Sequence, residues 1–265
     1  MKKLILLLSI PLTASICIAQ TNITTNFGGY SDGTLTSNTD WGGHTNNTVS
    51  SGKVVLDGLN ANRKNFFKTG LLANQSTYEV SYTFNFDRSG SSLAGNENVL
   101  AVALGNRDAP GSDTVTLNFQ RMSYDVKKYR MSIFHITNIN GNAFDEIEIG
   151  FDDASDTTSD TLQLTLALSP GATSSTDWAY SASVYNLDDS ATTSVSTING
   201  SMAVDAEFFG SNLYGFINSK DLESVSLTSN RQISSFTVSS IPEPQTYALL
   251  SGIFALGILV LRNRK

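Results

Sequence analysis

The amino-acid sequence predicts an all-β protein, built as a two-sheet sandwich between two apolar ends. Three observations predict this fold class. Apolar and polar residues alternate with a period of two, Ser, Thr, Asn and Gly dominate residues 20–240, and turn signals recur at intervals of about 8–12 residues. No long helical periodicity interrupts the pattern, and no Pro/Gly-rich linker or run of charge divides it. We therefore expect one β-sandwich domain over residues 20–240.

The first nineteen residues have the order of a secretory signal peptide. Lys2 and Lys3 form a short positive region, residues 4–12 are mainly apolar, and the residues up to Ala19 are rich in small side chains. This order predicts export through the Sec translocon. Cleavage is expected after Ala19, which leaves Gln20 as the first residue of the mature chain.

Cys17 is the single cysteine of the chain. An alternative is a lipoprotein signal with Cys17 as the lipidated residue, but that signal requires a small residue where Ile16 stands. After cleavage at Ala19 the mature chain contains no cysteine. Disulfides, thiolate chemistry and cysteine-type zinc sites are therefore excluded from the predicted mature domain.

The predicted mature domain is strongly acidic. The full chain carries 17 Lys and Arg against 24 Asp and Glu. Without residues 1–19 and 241–265 the domain keeps 12 basic and 23 acidic residues, a net charge of −11. Such a surface argues against nucleic-acid binding, which needs a basic patch to neutralise phosphates. It suits solubility, cations or neutral glycans.

Several segments of the domain read as strands. Residues 78–86 alternate cleanly, with Tyr78, Val80 and Tyr82 on one side and Glu79, Ser81 and Thr83 on the other. Residues 99–104 form a continuous apolar run, which is typical of a strand buried on both faces. Further strands are predicted at 115–119, 131–136, 143–151, 162–168, 180–185 and 233–238. Turns are predicted at Ala109-Pro110-Gly111, Asn140-Gly141, Ser169-Pro170-Gly171 and Asn199-Gly200.

The C-terminal residues 241–265 read IPEPQTYALLSGIFALGILVLRNRK. Pro242 and Pro244 should stop the preceding strand, because proline lacks a backbone N–H and has a fixed φ. Residues 246–261 then give a single predicted transmembrane helix near the minimum length of about 17 residues. The basic residues that follow should stay on the cytoplasmic side.

This order of Pro-Glu-Pro, short apolar helix and basic end resembles the PEP-CTERM sorting signal, a tail also labelled an ice-binding protein C-terminal domain. The resemblance covers about the last 25 residues. It implies recognition at Pro242, Glu243 and Pro244 by a membrane transpeptidase of the exosortase class, in a Gram-negative bacterium that makes exopolysaccharide. An ordinary C-terminal anchor with a chance Pro-Glu-Pro is the alternative.

The two ends of the domain carry a second resemblance. The opening FGGYSDGTLTSNTDWGG, the following VVLDG and the closing ISSFTVSS resemble the concanavalin A-like or LamG-like jelly rolls of exported PEP-CTERM proteins. The resemblance implies a two-sheet jelly-roll sandwich in which the last strand lies near the first. Residues 233–238 would then close the sandwich and lead directly into the anchor.

Glu146 and Glu148 are the candidate catalytic pair. They are two residues apart on a predicted strand, so both point to one face within about 7 Å along the chain, and glycosidases work with two carboxylates. Some laminarinase-like jelly rolls carry their acids as Glu-x-Asp-x-x-Glu or Glu-x-Asp-x-Glu. Here Gly150 stands where the second catalytic acid belongs. A solvated strand face is therefore expected, and no catalytic residue is assigned.

Two other patterns suggest chemistry less strongly. Residues 29–33 match the Gly-x-Ser-x-Gly nucleophile elbow, but no helix is predicted after them, which favours a turn. His44 and His135, the two histidines of the chain, could ligate a metal only if the fold brought them together.

Four aspartates crowd a Ser/Thr-rich segment after residue 151, and their oxygens are the ligands that Ca²⁺ prefers. The spacing is not that of an EF-hand, so a polar surface loop is the alternative. No other cofactor is predicted. The candidate calcium ligands are Asp152, Asp153, Asp156 and Asp160.

The sequence thus favours an exported, envelope-anchored protein that is not an enzyme. It would bind glycans or act structurally at the cell surface or in the exopolysaccharide matrix, with extracellular polysaccharide as a partner. Its ectodomain would lie outside the cytoplasm, held at first by the inner membrane. The alternative is a glycan-degrading hydrolase of the laminarinase-like jelly-roll class.

Overall fold

The computed structural model describes most of the predicted domain. The described residues are 20–56, 64–73, 75–87, 97–109, 113–121, 128–136, 144–150, 159–171, 178–188, 196–204, 206–208, 211–218 and 232–242. The signal peptide with its cleavage site at Ala19, the anchor at 246–261, and Glu243 and Pro244 of the sorting motif lie outside them. Among the described residues, no helix is long and apolar enough to span a membrane.

The described part of the chain is almost entirely β-structure. Short 3-10 helices occur at Phe27–Gly29, Leu35–Ser37 and Ala206–Phe208. The strands are β1 Thr21–Asn26, β2 Gly33–Thr34, β3 Trp41–Gly43, β4 Thr48–Ser50, β5 Lys53–Val55, β6 Lys64–Phe67, β7 Gln75–Asp87, β8 Glu97–Gly105, β9 Thr114–Arg121, β10 Lys128–Ile136, β11 Phe144–Gly150, β12 Ser159–Ser169, β13 Trp178–Asn186, β14 Ser196–Met202, β15 Tyr214–Asn218 and β16 Gln232–Pro242. The predicted all-β class is confirmed.

The described strands form two antiparallel sheets. The nine-stranded sheet has the order β14-β13-β12-β7-β16-β5-β4-β2, with β1 also paired to β16. The seven-stranded sheet has the order β11-β10-β9-β8-β15-β6-β3. Neighbours in each sheet are often distant in sequence, as in other two-sheet sandwiches with crossing connections.

The core lies between the inner faces of the two sheets. The alternation in β7 places Val80, Tyr82 and Phe84 inside, where each is almost fully buried. Trp41 of the seven-stranded sheet packs against Phe236 of the nine-stranded sheet with ring centroids 5.0 Å apart. Aromatic contacts of this kind add to the free energy gained from burying apolar area. The core therefore joins the sheets through residues from both ends of the domain.

The last strand closes the sandwich beside the first, as the sequence resemblance implies. β1 and β16 pair antiparallel, with Ile23 in register with Val238. β16 continues two residues past the predicted domain end at 240 and ends at Pro242. A proline is tolerated at the last position of a strand, since nothing further along the ladder needs its N–H.

One predicted turn is wrong. Asn199 and Gly200 lie inside β14, in register with Ser181 and Tyr180 of β13. A Cβ on Gly200 would lie 2.5 Å from Cζ of Tyr180. The glycine is therefore explained by the close approach of the tyrosine ring, not by a turn.

Candidate functional site

The outer face of the seven-stranded sheet is the candidate site. In β9, Val115, Leu117 and Phe119 point into the core, so Thr116 and Asn118 point away from it. In β10, Met131 and Ile133 likewise point inward. We call the face turned away from the core the outer face. It is defined by the residues that alternate with these core residues.

A continuous row of mostly polar residues crosses this outer face. Directly opposed residues of antiparallel strands share a face, and the register links one residue from each of six neighbouring strands. We call this set the polar row. From β6 to β11 its members are Lys64, Asn218, Ala101, Asn118, Ser132 and Glu146.

A second, shorter row lies two residues further along the strands. Gln120 of β9 is opposite Arg130 of β10, and Arg130 is opposite Glu148 of β11. The two rows therefore place two glutamates and two cationic residues at register positions of one face. On the other side of the polar row, Phe66 and Phe216 form a small apolar cluster with ring centroids 5.8 Å apart.

Three polar members of the polar row are buried although they face away from the core. Lys64 is 7% exposed, Asn118 is 9% exposed and Asn218 is 1% exposed. A buried polar group costs free energy unless it is hydrogen-bonded. The face is therefore unlike the partly exposed outer face of the other sheet, and its polar residues call for an explanation.

Lys64 and Asn218 are neighbours in register across β6 and β15. Nζ of Lys64 donates a hydrogen bond to Oγ1 of Thr114, 3.2 Å away, and Thr114 is in turn 3.2 Å from Oγ1 of Thr116. Nδ2 and Oδ1 of Asn218 have no hydrogen-bond partner among the described residues. Asn218 thus offers one donor and one acceptor at the buried end of the polar row.

Another carboxyl group lies on the opposite side of the sandwich. Burial raises the pKa of Glu79, and a raised pKa is one property of a general acid. Glu79 is in register with Ser239 and Ala167, on the outer face of the nine-stranded sheet. Since neither register neighbour is a carboxylate, Glu79 has no adjacent partner for acid–base work.

The predicted calcium site is untested over most of its length. Among the described residues, no group of three or more His, Cys, Asp or Glu could hold a metal ion. Asp152, Asp153 and Asp156 lie outside the described residues, and Asp160 lies in β12 in register with Phe86. Calcium binding by these residues stays a prediction.

The two histidines are not brought together. His44 follows β3 at one edge of the seven-stranded sheet, and its Nδ1 lies 3.1 Å from Oδ1 of Asn46. His135 lies in β10, with β6, β15, β8 and β9 between the two strands. At about 4.8 Å per strand the separation exceeds 20 Å. A shared metal site is therefore excluded for this pair.

The Gly-x-Ser-x-Gly segment is a turn, as the absence of a following helix indicated. Residues 29–33 connect a 3-10 helix to the two-residue strand β2. Oδ1 of Asp32 accepts a hydrogen bond of 2.9 Å from the backbone N–H of Ser51. Trp41 and Trp178 are both buried in the core, so neither ring is available to stack on a sugar.

Comparison with known proteins finds solved structures that share this fold. No family model and no curated protein matches the chain. An alginate lyase in complex with an alginate trisaccharide is similar with a TM-score of 0.50 and 12% identity, covering 84% of this chain and 98% of that chain. An endo-1,3-beta-glucanase from Streptomyces sioyaensis has a TM-score of 0.50 and 10% identity, covering 84% and 97%. The chain is therefore a two-sheet jelly-roll sandwich.

The expectation that the protein is not an enzyme is contradicted by this comparison. Both neighbours named above are enzymes that act on polysaccharides. The sequence argument excluded one catalytic pattern, at Gly150, and one fold can carry several unrelated catalytic constellations. Failure of a single pattern was too narrow a ground for excluding catalysis.

Sequence reasoning missed Lys64 and Asn218 altogether. Thr114, Thr116, Asn118 and Gln120 alternate with the predicted core residues of β9, and no role was predicted for them. The residue types of these four positions did indicate a binding face, because four hydrogen-bonding side chains in a row on one face are suited to a polar ligand.

Proposed function

We propose that this protein is a polysaccharide hydrolase that binds its substrate across the outer face of the seven-stranded sheet. The observation that carries the proposal is the register of that face. It lines up amides, hydroxyls and two cationic residues with Glu146 and Glu148, on a jelly-roll sandwich. A polysaccharide chain offers hydroxyl groups at regular intervals, and a row of such side chains can bind them.

The register also suggests separate roles for the two glutamates. Glu148 is directly opposite the cationic residue Arg130 in the register of β10 and β11. Glu148 would therefore act as the general base. Glu146 is opposite Ser132 and would act as the proton donor to the leaving sugar oxygen.

The spacing of the two glutamates favours inversion of the anomeric centre. The Cα atoms of residues two apart on an antiparallel strand are separated by about 6.8 Å, and parallel side chains would carry their carboxyl groups at a similar distance. Inverting glycosidases place their carboxyl groups about 6.5–9.5 Å apart, with a water between one carboxylate and the sugar, whereas retaining enzymes need about 5–5.5 Å.

The proposal is tested with the purified protein and a panel of polysaccharides. The panel includes β-1,3-glucan, mixed-linkage β-glucan, xylan and polyuronates, and the measurement is the release of new reducing ends. We expect release from at least one of them, with product chains shorter than the substrate. A folded protein that releases no sugar from any member would contradict the proposal.

We also propose that the chain is exported and sorted by its C-terminal tail. The described domain is supported as an independent unit by its closed core, and β16 ends at Pro242, the first residue of the Pro-Glu-Pro motif. A processing enzyme at the membrane would thus meet the motif where the last strand ends. The exosortase-type transpeptidase and the inner-membrane location remain parts of this proposal.

Replacing Pro242, Glu243 and Pro244 together with alanine should block processing. We expect uncleaved protein to accumulate in the inner membrane of a host that has the transpeptidase, because the recognition element is gone while the apolar segment remains. Membrane fractionation and the intact mass of the protein measure this. A control with alanines at Gln245 and Thr246 keeps the motif, the apolar segment and the basic end. Normal processing of the motif variant would show that the tail is an ordinary anchor.

A further inference from the structure

Asn218 differs from the other polar residues of the outer face. It is the last residue of β15 and is 1% exposed, and neither its amide nitrogen nor its amide oxygen has a hydrogen-bond partner among the described residues. Inward and outward residues alternate along β15, and this alternation determines which face the side chain of Asn218 points to. Ile217 belongs to the core and Phe216 to the apolar cluster of the outer face, so Asn218 points to the outer face.

A buried amide without hydrogen-bond partners lowers the stability of the folded protein. Burial removes the water that hydrogen-bonds an asparagine in the unfolded chain, and nothing in the described structure replaces it. A leucine has the same branched shape and no polar atom, so it would fill the space without that cost. Such an orphaned group is well explained by a ligand that supplies the missing partners.

The amide of Asn218 defines the chemistry of that ligand. It presents an NH2 donor group and a carbonyl acceptor side by side. Lys64 is its register partner, but Nζ of Lys64 is hydrogen-bonded to Thr114, which is in register with Gly105 and Tyr214 and not with Asn218. Two neighbouring hydroxyls of a sugar ring match the amide, since one donates to Oδ1 and the other accepts from Nδ2.

We infer that Asn218 forms a sugar-binding subsite at one end of the polar row. Its amide binds a pair of ring hydroxyls of one sugar unit. The inference rests on the proposed function for the substrate class, and it assigns no part of the bond-breaking step to Asn218.

The test compares Asn218→Leu with the intact protein in two measurements. Calorimetry measures the affinity for gluco-oligosaccharides and for uronate oligosaccharides of the same length, and thermal unfolding measures stability without ligand. We expect the variant to bind at least about tenfold more weakly to the series that the intact protein prefers. We expect its Tm to rise by about 2–6 °C, because the unsatisfied amide is gone.

Tyr82→Phe is the matched control. The hydroxyl of Tyr82 is also buried without a hydrogen-bond partner among the described residues, but it lies in the core between the sheets. Its removal should raise the Tm similarly and leave sugar affinity unchanged. This control separates an effect on binding from a general effect of stability.

The outcomes separate this inference from the proposed hydrolase. Hydrolysis with unchanged affinity in Asn218→Leu overturns the subsite and leaves the hydrolase. Sugar binding that falls in Asn218→Leu, in a protein that releases no sugar, supports the subsite and overturns the hydrolase. A lower Tm in Asn218→Leu would reveal a structural partner for the amide and overturn the subsite. So would an intact protein that binds neither oligosaccharide series.

Discussion

Glu146→Gln is expected to lower the rate of polysaccharide hydrolysis by about 10²–10⁴-fold, the usual contribution of a general acid. Glutamine keeps the size of the side chain but cannot donate a carboxylic proton to the departing sugar. Substrates with an activated aryl leaving group need little protonation, so the variant should keep most of its activity on an aryl glycoside. Initial rates on the two substrate types measure the difference.

Comparison of Glu148→Gln with Glu146→Gln distinguishes the general base from the general acid. A general base activates the water in every turnover, so this variant should be slow on both substrate types. The anomer released first, followed by proton NMR, should be inverted relative to the substrate. Glu79→Gln is the control, because Glu79 has a raised pKa but lies on the opposite sheet. Equal activity in Glu146→Gln and the intact protein would remove Glu146 from the mechanism.

The sequence predicts the long strands well because their two faces differ. In β7, β9 and β12 one face packs in the core and the other carries mostly Ser, Thr, Asn or Gln, so the period of two is plain. The pairing of the first and last strands was also predicted, through the resemblance at the domain ends. These features depend on local alternation or on recognisable end segments, both of which can be read from one chain.

The strands that were missed are short and lack that contrast. β6 reads Lys-Asn-Phe-Phe and all four residues are buried. β15 contains Gly215, and β14 contains the Asn-Gly pair, which usually marks a turn. In each case the strand is specified by tertiary contacts, such as the ring of Tyr180 over Gly200. Local propensity could not reveal such contacts.

The candidate site was missed for the same reason. Lys64 and Asn218 lie on β6 and β15, which the sequence did not reveal as strands, and the two residues are 154 positions apart in the chain. Their meeting depends on the strand order β8-β15-β6. Glu146 and Glu148 were found because their spacing is local, whereas Arg130 opposite Glu148 needed the register of β10 and β11.

Gly215→Val is expected to destabilise the protein by about 3 kcal/mol, the upper end of the usual cost of overpacking a core. Gly215 lies on β15, and a side chain at this position would point toward the nine-stranded sheet. A Cβ there would lie 2.7 Å from Cζ of Phe236 and 3.2 Å from Cγ2 of Val80. For a chain of this size the Tm should fall by about 6–12 °C, which thermal unfolding followed by circular dichroism measures.

Gly28→Ala is the matched control for Gly215→Val. Nothing lies within 4 Å of a Cβ built on Gly28, so its stability should stay the same or rise by a few tenths of a kcal/mol up to about 1 kcal/mol. An unchanged Tm in Gly215→Val would mean that the sheets pack less closely at β15 than the structure shows. The consequence reaches the candidate site, because β15 carries Gly215 on its inner side and Asn218 on its outer side. The valine side chain at position 215 should push β15 outward and displace Asn218. Sugar binding should therefore weaken even at temperatures well below the Tm of the variant.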